Sequence, residues 1–431
     1  MLFRAVRCSC TQSGNSDSCS FTKTEAISLV SRVGMHEDIR LTGESSIANT
    51  FSLVSHTPFH RYLGRFGLSG HNQTTRSILQ SFVLTWVPLA ILCFIDGTAW
   101  GNKVRIPLFR DFAIYSRFFI ALPLLVLADG LIDRFARHTV AIFDSSGIIR
   151  NDDLILYRSA LGRVTELLGS GLVHTFAVLL AFFPWFLFLA ENEWTSAHIS
   201  TWHGSGIRGL SPGGWWFVLV GSPALRFLML RWLWRYSCWA YLLRKISGLK
   251  LNLLVTHPDR IGGLGFLLFA QQRFGLLAAA LGSVVAGQFA NEIFYLGLSL
   301  NAMKAPAGLF IFGSVLVVLL PPVFFSLRLF EARIDGMIRY NQVARLVTEK
   351  FDLKWARKIG SPPDQMIGSQ DPSSLIDYIS SCDVIRETRV IPITKRAVTY
   401  ITAFAAAPFA FVWLLTTPVE RLVTEILKRL F

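Results

Sequence analysis

Charge is what this sequence has least of. Lys, Arg, Asp and Glu make up 16% of its 431 residues, against 52% hydrophobic ones and a mean hydropathy of +0.45. A soluble chain carries about a quarter of its residues charged to cover its surface, so a soluble globular protein is excluded. Cysteine is also sparse. Cys8, Cys10, Cys19, Cys93, Cys238 and Cys382 are scattered without a C-x-x-C, which removes a zinc cluster and a disulfide framework. H-E-x-x-H is absent, and no G-K-[ST] follows the glycines, so zinc-peptidase and P-loop chemistry have no carrier. A membrane-buried haem would want two axial ligands, and only His174 lies near an apolar run. No metal and no cofactor is implied.

What the sequence has is long apolar runs. Seven reach or approach the roughly 20 residues that cross a bilayer core of about 30 Å: Ile78–Ile95, Phe112–Ile132, Leu172–Ala190, Trp215–Arg235, Phe274–Leu296, Pro306–Leu327 and Val398–Leu415. The fold expected is an all-α integral membrane protein of about seven transmembrane helices, six to eight, with a small helical lobe. Residues 1–60 form a polar, Ser- and Thr-rich tail expected to be disordered, and Met35 is an alternative start. Residues 61–327 hold spans one to six, residues 328–396 the lobe, and residues 397–431 the last span with an interfacial amphipathic helix on Leu422, Ile426 and Leu430.

The formal charge of +14 could suggest nucleic acid, but its placement explains it otherwise. Arg134, Arg137, Arg150, Arg158 and Arg163 follow the second span. Arg244, Lys245, Lys250 and Arg260 precede the fifth, and the lobe holds twelve Lys and Arg from Arg328 to Arg396. The positive-inside rule puts these segments and the amino terminus in the cytoplasm. Lys103, Arg105 and Arg110 in the first outer loop dissent.

Three places carry polar chemistry. In span four, Arg226 lies near the bilayer centre three residues after Pro223, whose missing N–H frees the carbonyl of Leu219. A broken helix with an arginine can hold an anion at mid-membrane, or the arginine simply satisfies carbonyls. Arg231 is depth-matched to Asp129 of span two, so these two form an expected intramembrane ion pair. In "LVTHPDRIGGLGFL", Thr256 and Asp259 make a capping-box pattern with Pro258 in the first turn. There His257, Asp259 and Arg260 are either a gate or ligand contact, or the inside of a capped hinge. Two lesser expectations are that Gln271, Gln272 and Arg273 sit at the inner interface, and that Gly275, Ala278, Gly282 and Ala286 form a packing seam within or between subunits.

The stretches "THPDRIGGLGFL", "RWLWRY", "YNQVARLVTEKFDLKW" and "VIRETRVIPI", in this order over roughly Ser77–Phe431, resemble a family of uncharacterised bacterial multispan inner-membrane proteins. The resemblance implies a bacterial cytoplasmic membrane and an all-helical fold, transfers no catalytic residue, and treats His257–Gly265 as one unit. Two functions follow. One is a transporter or channel for a small anionic solute, using Arg226, His257, Asp259 and Arg260. The other is a non-catalytic scaffold or signalling partner whose basic lobe docks on a protein or anionic lipid. The partners expected are the lipid bilayer, the solute, a protein at the lobe and further copies of the chain, with no nucleic acid.

Overall fold

The computed structural model describes residues 51–54, 73–183, 200–204, 209–356 and 369–416. The described chain is helical, with isolated bridges but no strand among the described residues. Its main helices are α1 Gln73–Ile95, α2 Leu122–Ser145, α3 Leu154–Gly169, α4 Gly171–Phe182, α5 Ser222–Ser247, α6 Gly265–Arg273, α7 Gly275–Leu296, α8 Leu300–Val323, α9 Ser326–Phe351, α10 Asp371–Arg386 and α11 Lys395–Thr416. Five helical stretches are long and apolar enough to cross a bilayer: Arg76–Ile95, Pro212–Ser247, Gly265–Leu296, Leu300–Val323 and Lys395–Thr416. A sixth arises if α3 and α4, bent by 41° at Ser170, are counted as one. The protein is a multi-pass helical membrane protein.

Prolines shape two of the entries. Ser116–Ala121 is a π-helical stretch just before Pro123 of α2, and Phe217–Gly221 is another just before Pro223 of α5. A proline cannot donate to the carbonyl four residues back, and a wider turn absorbs the lost register. Pro88, Pro306, Pro321, Pro322 and Pro408 stand inside their helices.

Loops gather at two ends of the bundle. At one, Ile106 pairs with Thr201, and Arg105 donates to the carbonyl of Tyr295. At the other, Arg150 N–H donates to Lys250 O, and Arg328 donates to the carbonyls of Ser247 and Gly248 at the end of α5. The second end carries α9 and α10.

Several expectations need correcting. The polar tail was drawn to residue 60, yet Phe51 and Leu53 are buried, and Ser52 Oγ and Leu53 N–H both donate to Asp133 Oδ1, at 2.8 and 2.6 Å. Gln271 is fully buried rather than interfacial. It accepts from Trp239 Nε1 at 3.1 Å and donates to Val318 O, so one amide ties α5, α6 and α8 together. Arg273 lies over the Phe135 ring at 4.5 Å and donates to Tyr400 Oη. The small-residue seam packs inside the chain, Gly275 against Phe404 and Gly282 against Phe310 and the Ala405 carbonyl. Met1–Thr50 and residues 417–431, with the interfacial helix expected there, lie outside the described residues.

Candidate functional site

Midway along the bundle, one carboxylate serves two guanidiniums. Asp129 Oδ2 lies 2.6 Å from Arg231 Nη2, and Asp129 Oδ1 lies 2.7 Å from Arg235 Nη1. Arg231 and Arg235 are four residues apart, so α5 stacks them on one face, and α2 brings the acid across. Asp129 and Arg231 were matched in sequence by depth; Arg235, one turn further, completes a trio. Its side chain is 1% exposed and lies 5.1 Å from the Trp232 ring. Its Nε and Nη2 find no hydrogen-bond partner among the described residues. The trio sets two guanidiniums against one carboxylate. The nearest further acid, Asp133, is held by Ser52, by Leu53 N–H and by Arg137 at 3.1 Å.

Arg226, the residue that sequence offered as the anion ligand, is half-buried and otherwise engaged. Its Nη1 donates at 3.2 Å to Ala181 O and at 3.2 Å to Phe183 O. These are orphan acceptors at the carboxyl end of α4, where a cation is favoured. The carbonyls it satisfies belong to a neighbouring helix, not to the proline kink.

The His257–Gly265 stretch is a loop folded around Asp259. Its Oδ1 accepts from Ile261 N–H at 2.9 Å and Gly263 N–H at 3.1 Å, and lies 2.9 Å from His257 Nδ1. Its Oδ2 accepts from Gly265 N–H at 2.8 Å. Asp259, not Thr256, therefore serves the amino end of the following helix, which starts at Gly265, while Thr256 is exposed in a turn. The capping-box reading failed because Arg260, Gly262 and Gly263 take positive φ (58°, 67° and 93°) and curl the chain instead of helicising it. Arg260 pairs with Glu387 at 2.8 Å and its carbonyl accepts from Arg389 N–H. Thr388 Oγ1 donates to Val255 O at 3.0 Å. A Cβ on Gly336 of α9 would lie 2.6 Å from Val255 Cγ2. The loop is thus the seat on which the lobe rests.

Within the lobe, α10 packs on α9. Tyr378 stacks on Tyr340 and donates to its carbonyl at 2.8 Å. Asp371, at the start of α10, pairs with Lys354 and accepts from Trp355 Nε1 at 3.0 Å, and these bonds hold its carboxyl below the usual range.

At the far end, a polar knot escaped the sequence reading. Buried Asp111 caps Ile114 N–H at 3.2 Å, and accepts from Asn291 Nδ2 at 2.7 Å and Trp202 Nε1 at 2.8 Å. The available signal was an Asp directly before an apolar run, a helix-capping pattern. Beside it His203, half-buried and stacked on Trp202, has its pKa pushed down to about 4, chiefly by burial, with Asp111 opposing and Arg117 reinforcing. Also passed over was the G-x-S-x-G run at residues 209–213. Its Ser211 donates to Trp202 O at 2.6 Å and accepts from Gly214 N–H at 2.9 Å, so the hydroxyl is a helix cap.

Compared with family models, curated proteins and solved structures, the chain matches none.

Proposed function

We propose that this protein binds and passes a small anionic solute across its membrane, and that Arg235, with Arg231, is the anion-binding element. The observation that carries the reading is the Asp129 trio: two guanidiniums, one carboxylate, and, in the fully buried Arg235, N–H groups without an acceptor among the described residues. A buried guanidinium N–H left without an acceptor costs free energy, and an anion accepting from Arg235 Nε and Nη2 would supply the acceptors. Arg226 is a further positive charge on the same helix, nearer the far end. The His257–Asp259–Arg260 loop is in this reading a hinge and not a gate.

The same reading counts seven crossings, with residues 112–145 and the α3–α4 pair as the second and third, because consecutive loops alternate between the two ends. The lobe end, holding Arg328, Arg333, Arg339 and Arg345, is assigned to the cytoplasm by the positive-inside rule.

The test is thermal unfolding of the purified protein in chloride, nitrate, acetate, phosphate and sulfate against gluconate at constant ionic strength, beside Arg235→Gln. A ligand at 100 times its Kd adds about 2.7 kcal/mol to the folded state. The expected result is stabilisation by one class of anion that Arg235→Gln abolishes. Equal unfolding in every salt, or a shift unchanged by Arg235→Gln, would overturn the reading.

A further inference from the structure

The face of α8 and α9 turned away from the bundle is apolar over its whole length, and part of it cannot meet lipid tails. It begins at Leu309, 73% exposed, and ends at Ile338, 55% exposed. At 1.5 Å per residue those 29 steps span about 44 Å, against a hydrocarbon core of about 30 Å. The overshoot has a fixed location. Leu329 touches Gly262, and Gly336 touches Val255. The 255–262 loop joins two membrane-crossing stretches and so stands outside the hydrocarbon. Ile334 and Ile338 are level with that loop, yet they are exposed.

The stripe has the spacing of a helix pair. Leu320, Leu327 and Ile334 recur every seven residues, with Leu316, Val323 and Phe330 recurring every seven between them, the arrangement of a two-helix seam. Phe324 and Phe325 form a two-residue turn between the helices, with φ −58°, ψ −24° and φ −82°, ψ −6°. Residues beside it carry both signs, Glu331 and Asp335 with Arg328 and Arg339, and Glu331 is already paired with Arg328. Such a flank has no single-sign field to hold anionic headgroups, whereas mixed charge suits a like surface.

We propose that this face is the contact with a second copy of the chain, the two α8–α9 helices lying side by side about a two-fold axis normal to the membrane. Copies inserted with one topology run parallel at one depth, so equivalent residues meet and the seven-residue repeat stays in register with itself. Leu327, Phe330, Ile334 and Ile338 are the part of the seam that water would otherwise cover. This inference does not depend on the anion reading.

The test is oxidative cross-linking of the full chain in membranes, with Cys8, Cys10, Cys19 and Cys382 replaced by Ser and the buried Cys93 and Cys238 retained. Ile334→Cys should give a disulfide-linked dimer. Val343→Cys, of matching exposure at 46% against 41% but half a turn round the helix, should not. Native mass in nanodiscs is the second readout: the unsubstituted chain should be dimeric, and Ile334→Asp should be monomeric with unaltered thermal unfolding. Cross-linking at Val343 as efficient as at Ile334, or a monomeric unsubstituted chain, would overturn the proposal. Quenching of a dye at position 334 by brominated lipid would do so as well, by giving the face to the bilayer.

Discussion

Asp129 is the residue on which most charge depends, because two arginines share it. Breaking a buried pair by removing one partner costs about 3–5 kcal/mol, so Asp129→Asn should lower stability by at least about 3 kcal/mol in denaturant unfolding. Arg231→Met should cost less, since Asp129 then keeps Arg235. Arg260 offers a cleaner contrast. It is the non-glycine residue with positive φ among those described, a conformation that costs a side chain on the order of 1 kcal/mol. Arg260→Gly removes that strain while losing an exposed pair with Glu387, and should unfold within about 1 kcal/mol of the parent. Arg260→Val should be clearly destabilising, and if anion-induced shifts persist in Arg260→Gly the loop is no gate. His203 gives a pH signature. Its folded pKa near 4 lies below the unfolded value of about 6.5, so the unfolded chain binds the extra proton and stability falls as pH drops from about 7 towards 4. The fall in melting temperature over that window should be smaller in His203→Gln.

At the scale of elements, the helices were legible where apolar length alone defines them. Their ends were not, because several run on amphipathically beyond the apolar part. The span drawn at Trp215–Arg235 is a helical stretch from Pro212 to Ser247, and its last turns bury Trp239, Leu242 and Ile246 against other helices. The Asp129–Arg231 match was readable from depth, since charges at equal depth in adjacent helices have few other partners. Arg235 was readable too, from its four-residue spacing to Arg231, but depth-matching named only one partner. The Thr256 cap misled because a capping pattern reports local hydrogen-bond capacity and not the positive torsions that follow it. Gln271 misled because a polar side chain near an expected helix end looks interfacial until the neighbouring Val318 carbonyl is known. The Asp259 loop makes an element-scale prediction. Asp259→Ala leaves three backbone N–H groups without their acceptor, so hydrogen exchange should quicken over residues 255–265. It should quicken also over 386–389, which bond to Arg260 and Val255, while α1 and α2 keep their rates.

The described residues form a bundle with a charged middle, a polar knot on Asp111 at one end and a helical lobe seated on the Asp259 loop at the other. The seat couples the lobe to the turn between two membrane-crossing stretches, and the outward face of α8 and α9 offers the surface for a second copy. The charged middle matters most, because Arg235 Nε and Nη2 have no acceptor there among the described residues. The most direct measurement is a structure in the presence of a heavy analogue of the stabilising anion, bromide for chloride or selenate for sulfate or phosphate, located by anomalous scattering. A peak within hydrogen-bond distance of Arg235 Nε or Nη2 is expected; an Arg235 whose N–H groups all donate to protein oxygens, with no peak beside it, would rule out the anion site.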